Sequence, residues 1–443
     1  MESWNVEAME ELGVHWRRAA VDIWEGEKPG YLKEEPEELV GSYLNLTYLD
    51  EIVRESQEHG VAIYCIVNAV PNQDGEWPTP EFLAEQFKRI VERYDGDGVD
   101  DMPGLEYPIK YWELCNEYEP DMGPWKGLTI ETYAEYLKAC YRALKEADPE
   151  GHLGLGAVVG PPGGKLWSLV PMGADQYFDF ISYHFYEEYL RVDEFLKIVE
   201  ELGLEDKPIL LTESQFGGML EAYGSEEEVA RWLAVSYLYA LGRGFSVVMP
   251  SELQALPHQP EGLRWSCLID ENGVKRLSFY AYKTLIRKID YFTDVEVLSV
   301  GHIDVKGPGM SHTEGLFAFK FIVAGRPIYA LWGEGEPPSE IKGLVRVTTM
   351  LGDEYIMDIS EVEIGPDPIY IEPLSPGEVE AGFKVGVDVL NHTLLYPLER
   401  SCKFTIPIRN VGATPITIHP AVSYTHLRAH ETRHDLVCRL LLE

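Results

Sequence analysis

Two glutamates stand where chemistry could be done. Ile109-Lys110-Tyr111-Trp112-Glu113-Leu114-Cys115-Asn116-Glu117 reads as a buried β-strand ending in Asn-Glu, with Pro120 turning the chain away. Pro208-Ile209-Leu210-Leu211-Thr212-Glu213 is a second apolar strand that also ends in a glutamate. Cleaving a glycosidic bond with retention needs one carboxylic acid to protonate the leaving oxygen. It also needs a second carboxylate, about 5–5.5 Å away, to attack the anomeric carbon. Two strands that deliver Glu117 and Glu213 to one end of a barrel would meet both needs from rigid supports. Glu117 could instead pair with a surface lysine, and Glu213 could cap the helix that follows it. Their shared position at strand ends, and Asn116 before Glu117, favour the catalytic reading.

The intervening chain supplies such a scaffold. Helical stretches at Asn5–Leu12, Asn45–His59, Pro80–Tyr94, Ile130–Ala147, Val192–Leu202 and Glu226–Leu241 alternate with strand-like stretches. The strands begin at Val14, Val61, Ile109, His152, Phe178, Pro208 and Gly244. Val61–Asn68 ("VAIYCIVN") is apolar throughout, as in a parallel strand buried on both faces. The alternation predicts an α/β fold, a (β/α)8 barrel. Seven strands are read where a closed barrel has eight, so the first strand is expected to precede Asn5 and to be missing. The barrel, N-terminally truncated, is assigned to residues 1–290. Short alternating strands with Gly and Pro turns then predict a β-sandwich at 291–375 and the start of a further β module at 376–422.

The formal net charge of −38 opposes nucleic acid or an anionic membrane surface as a partner, and does not oppose a neutral ligand. No apolar run approaches the length of a membrane span. Six scattered cysteines form no CxxC pair, so neither a disulfide framework nor a zinc site is read. Phosphate-binding loops, GxSxG and HExxH are not found, and neither a cofactor nor a metal is expected. A secreted or cell-surface location follows if a signal peptide was lost with the missing N-terminus, and a cytoplasmic one otherwise.

Within this frame "YWELCNE" resembles the W-E-x-x-N-E stretch of clan A glycoside hydrolases, retaining enzymes with a barrel fold. "PILLTE" resembles the strand that carries their nucleophile. "ISYHFYEEY", "LGVHWRRAAVDIW" and "CLIDENGVKRLSFYAYKTL" resemble three further stretches in the same order, and the resemblance covers about residues 5 to 290. It implies Glu117 as acid/base, Glu213 as nucleophile, Asn116 on the sugar 2-hydroxyl, His184 and Tyr186 beside the nucleophile, and an arginine at Arg18. The context leans toward the β-xylosidase/α-iduronidase family or a family-5-like relative, acting on carbohydrate. One departure is "VVMPSEL", which places Ser251 and Glu252 where clan members commonly carry a tryptophan; Trp265 could fold back to fill that gap.

Strand parity points Glu113 the same way as Glu117, deeper in the barrel, as a structural partner for Arg18, and turns Arg17 outward. Asn68, at a strand end, is expected to meet a sugar hydroxyl. Trp125 and Trp265, with Trp77 and Trp167, are loop aromatics able to stack on sugar faces. The acid/base should ionise above the nucleophile, with Tyr111, Trp112 and Trp125 as apolar neighbours. The rival reading is a non-catalytic carbohydrate-binding barrel or a structural accessory module, against which the presence of both glutamates counts. Ser423–Glu443 is suddenly basic and His-rich, and resembles a translated sequencing-adapter tail. His426, His430 and His434 are therefore not read as metal ligands.

Overall fold

In a computed structural model of the chain, the described residues are 5–29, 46–120, 123–159, 163–186, 188–214, 224–257, 264, 266–304 and 312–374. The proposed module at 376–422, the tail and Trp265 lie outside them. The chain divides into two compact units. The first comprises Met1–Arg287 and Gly301–Glu314, and the second Lys288–Val300 and Gly315–Glu443.

The first unit is built on a seven-stranded parallel sheet whose strands lie in chain order. They are β1 (Trp16–Ile23), β2 (Ala62–Ala69), β3 (Tyr111–Leu114), β4 (His152–Val158), β5 (Phe180–His184), β6 (Ile209–Glu213) and β7 (Val247–Val248). Helices α1 (Val6–Leu12), α2 (Thr47–Glu58), α3 (Pro80–Tyr94), α4 (Ile130–Ala147), α5 (Leu166–Leu169), α6 (Val192–Glu201), α7 (Glu226–Gly242) and α8 (Leu277–Ile289) complete the alternation. Local signals set their ends. Asn5 accepts a hydrogen bond from the Ala8 amide and left-handed Gly13 closes α1. Thr79 caps α3 ahead of Pro80, and Ser225 caps α7 ahead of three glutamates in its first turn.

Alternate strand residues fill the inside of the curled sheet. Tyr64, Ile66, Phe180 and Leu210 form a buried layer with Trp16, Tyr111 and Val247 packed against it. Residues of opposite parity face the helices. Arg17 is buried there, donating to Glu55 at 2.8 Å and to Ser56 at 3.2 Å on α2. Among the described residues β1 and β7 stand at opposite ends of the strand order. Helix α1 ties these ends together. The Asn5 amide donates to Gln254 at 3.2 Å, and Glu11 accepts from Lys275 and, at 3.0 Å, from Lys283. No helix among the described residues is long and apolar enough to cross a membrane.

The second unit contains a six-stranded antiparallel sheet with strand order β14-β13-β15-β12-β11-β8. Its strands are β8 (Phe292–Ser299), β11 (Leu316–Val323), β12 (Arg326–Gly333), β13 (Leu344–Thr348), β14 (Glu354–Asp358) and β15 (Ile369–Pro373). Strands β9 (His302–Asp304) and β10 (His312–Glu314) pair with each other in the first unit. One face of the large sheet buries Ala318, Tyr329, Leu331, Val345, Val347 and Ile371. Phe317 and Phe319 stack on Trp332 at centroid distances of 5.2 and 5.6 Å.

Candidate active site

The site is assembled where β3 stops being a strand. The ladder ends at Leu114, three residues before Glu117. Cys115 and Glu117 both adopt left-handed backbone conformations, with φ of 63° and 50°. For residues with a Cβ, such geometry costs on the order of 1–3 kcal/mol each and persists only where the surroundings enforce it. The enforcement is visible. The Cys115 amide donates to Val67 O at 2.8 Å, and the Asn116 amide to the Asn68 side-chain oxygen at 2.9 Å. The Tyr118 amide returns to Cys115 O at 3.2 Å. Gly156 on β4 lets the turn come close, because a Cβ there would lie 1.8 Å from Cys115 O and 2.7 Å from Leu114 O. Gly156→Ala is therefore expected to destabilise the protein at the upper end of the roughly 1–3 kcal/mol of an overpacked core. Thermal unfolding measures that cost, and activity should fall further than the lost folded fraction accounts for.

Arg18, four residues before the end of the β1 face that also carries Asp22, organises the carboxylates. Its Nη1 donates to Glu213 Oε2 at 2.8 Å, and its Nη2 to Asn116 Oδ1 at 2.9 Å. Fully buried Glu113 stands 4.0 Å from Nη2. Glu113 also accepts from the Tyr64 hydroxyl at 2.5 Å and from the Ala157 amide at 3.2 Å, so each of its oxygens has a partner. Glu213, at the end of β6, receives the Tyr186 hydroxyl on Oε1 at 2.6 Å. That hydroxyl lies 3.1 Å from Glu117 Oε1, which also meets His184 Nδ1 at 2.7 Å. The other ring nitrogen of His184 lies 3.0 Å from Thr212 Oγ1. A carboxylate oxygen of Glu117 and one of Glu213 are thus within 4.8 Å of each other.

The electrostatics correct one expectation. Tyr111 packs with Trp16, His152 and Phe180, and Trp112 meets Phe87 edge-on. Trp125 stacks on Trp77 and touches Tyr118. The described partners of Glu117 are polar instead. Burial would raise its carboxyl, but the His184 hydrogen bond and charge, the Tyr186 hydroxyl and Arg18 outweigh burial and hold it below the usual range. For Arg18, burial opposes the charge, and Glu113 and Glu213 more than restore it. Tyr186 is pushed far up by burial and then by both carboxylates, so it stays a proton donor.

Of the residues singled out in the sequence, Glu117, Glu213, Arg18, Asn116, His184 and Tyr186 meet in this one network. Asn68 joins through its side chain, which accepts from the Asn116 amide and donates to Asp22 at 2.9 Å. Ser251 turns back to the Ser214 carbonyl, with its hydroxyl at 3.0 Å. Asp22, Tyr64, Thr212 and Ser182, whose hydroxyl lies 2.7 Å from that of Tyr64, were not singled out. Asp22 shares the strand parity of Arg18, a signal that could have found it, and burial raises its carboxyl against the Asn68 hydrogen bond. Glu117, His184 and Glu213 each offer one atom within 4.8 Å of the others, close enough to hold a cation, as do Glu92, Asp95 and Asp97. In the first group, Arg18 and Tyr186 already occupy both Glu213 oxygens.

No protein-family model matches the sequence, and no curated protein matches it. Solved structures do match the fold. A family 39 glycoside hydrolase from Bacteroides cellulosilyticus has a TM-score of 0.60 at 16% identity, over 83% of this chain and 77% of its own. A glucosidase from Croceicoccus marinus has a TM-score of 0.53 at 14% identity, over 84% of this chain and 92% of its own. The fold is theirs. A monomeric β-xylosidase from Caulobacter crescentus is similar, with a TM-score of 0.52 at 14% identity over 84% and 92% of the two chains. At such identities the likeness speaks for architecture: a curled parallel α/β sheet followed by antiparallel β-structure.

Proposed function

We propose that this chain is a retaining glycoside hydrolase that cleaves O-glycosidic bonds of oligo- or polysaccharides with Glu213 as nucleophile and Glu117 as acid/base. The observation that carries the reading is the pair of carboxylates, one in the turn after β3 and one at the end of β6, with oxygens within 4.8 Å and one tyrosine hydroxyl between them. Oxygens this near each other support direct attack on carbon, as in a retaining site, over the wider pair, about 6.5–9.5 Å apart, that an inverting site needs to admit a water.

In the first step a Glu213 oxygen bonds to the anomeric carbon as the bond to the leaving oxygen breaks, and Glu117 gives that oxygen its proton. In the second, Glu117 takes a proton from water as the water oxygen bonds to the same carbon and Glu213 is released. Arg18 aims Glu213 through its 2.8 Å hydrogen bond, and fixes Asn116 toward the sugar. Tyr186 donates to Glu213 in the free site. When Glu117 carries its proton, its contact with Tyr186 can reverse, with the phenol oxygen accepting. A bound sugar excludes water from the half-buried Glu117 and so raises its carboxyl toward the protonated form that the first step needs.

The test is the intact mass after incubation with 2-deoxy-2-fluoro glycosides, beginning with xylosides and glucosides, the sugars named for two fold neighbours. The expected result is one sugar added and mapped to Glu213. A folded protein that binds oligosaccharide, gains no mass and releases no sugar would overturn the reading in favour of a carbohydrate-binding barrel.

A further inference from the structure

Lys165 takes no part in the two steps above, yet its ammonium is enclosed just behind Glu117. Its side chain is fully buried. The ammonium donates to the Tyr118 carbonyl and, at 2.8 Å, to the Ala157 carbonyl, and lies 3.5 Å from Glu119 Oε1. An ammonium has three protons, and here three oxygens receive them. Burial pushes the group down to about 8 against the pull of Glu119 and Glu113. A charge kept under such opposition is held by its surroundings, and those surroundings are specific. Tyr118 and Glu119 are the two residues after Glu117, and Ala157 lies near the end of β4. The Ala157 amide in turn donates to Glu113 at 3.2 Å. One cation therefore pins the chain leaving the left-handed Glu117 to the neighbouring strand, and the same strand residue steadies the carboxylate beside Arg18.

We propose that Lys165 is a positioning residue for Glu117, fixing the Tyr118 carbonyl so that the carboxyl group is held where it can protonate the leaving oxygen. The proposal rests on the reading of Glu117 as acid/base. Misplacing a catalytic group by an ångström can cost roughly 10²-fold in rate. In glycosyl-enzyme formation the loss should fall only on leaving groups that need the proton.

The test compares Lys165→Met with Glu117→Ala and the unaltered enzyme on an alkyl glycoside and on a 2,4-dinitrophenyl glycoside, which leaves without protonation. Lys165→Met is expected to lower kcat/KM on the alkyl glycoside about 10- to 100-fold. On the activated substrate kcat/KM, which reads glycosyl-enzyme formation alone, should change little. Equal losses on both substrates, or none on either, would overturn the positioning role, since a general loosening of the fold does not distinguish leaving groups. If Lys165→Met does not fold, Glu119→Gln carries the same comparison: it removes the charge of the carboxylate 3.5 Å from the ammonium without opening a cavity, and its overturning result is the same. Selectivity in Glu117→Ala without selectivity in the Lys165 or Glu119 variant sinks this proposal alone. Its absence from Glu117→Ala sinks the assignment of Glu117 itself.

Discussion

Glu213→Ala is expected to lower kcat by about 10⁴-fold or more, the scale on which removing a nucleophile acts when other residues still bind the substrate. The loss should be indifferent to leaving group, because without the carboxylate no covalent intermediate forms on any substrate. The fold should survive, since Arg18 keeps Asn116 at 2.9 Å and has Glu113 at 4.0 Å. Added azide or formate, entering the vacated space, should restore part of the rate and give a product of inverted anomeric configuration. Rates near those of the unaltered enzyme, from a variant with unchanged thermal unfolding, would defeat the assignment.

Glu117→Ala is expected to behave differently. On substrates with poor leaving groups, kcat/KM should fall by about 10²- to 10⁴-fold, the usual worth of general acid catalysis. Activated aryl glycosides should still form the glycosyl-enzyme, which then accumulates, because no base remains to activate water. The pH profile gives a second mark. The acid must be protonated to act. His184, Tyr186 and Arg18 outweigh burial and hold the free carboxyl low, so the basic limb of kcat/KM should sit at acidic pH. The limb of kcat, which reports the occupied site, should lie higher, as water is excluded. In Glu117→Ala both limbs should be lost, and a limb that persists in the variant would assign the acid to another group.

Much of this architecture could be read in advance, and for a physical reason. A parallel strand buried on both faces must be apolar throughout, so "AIYCIVNA" announces itself, and the helices between strands carry their own caps. Parity placed Glu113 inside and Arg17 outside, because successive side chains in a strand point to opposite faces. Parity failed where the strand did. "IKYWELCNE" reads as one strand to Glu117, yet pairing ends at Leu114 and two left-handed residues redirect the chain. The causes are a glycine on β4 and an asparagine on β2, far away in sequence, and no local pattern contains them. The surroundings of Glu117 were hidden for the same reason. Tyr111 and Trp112, earlier on the same segment, pack on Trp16, His152, Phe180 and Phe87, while the described polar partners of Glu117 arrive from β5, from Tyr186 just after it and from Arg18 on β1.

The two compact units do not follow one another along the chain. It leaves the first after Arg287, returns at Gly301, and leaves again after Glu314, so β8 belongs to the sheet of the second unit while β9 and β10 belong to the first. This braiding bears on how such a protein can evolve. A gene fusion or exchange with a single breakpoint near residue 290 would separate β8 from the barrel it follows in sequence, but would also strip the first unit of its hairpin. The barrel and the sheet are thus hard to trade as separate modules, because no single breakpoint in the chain parts one unit from the other.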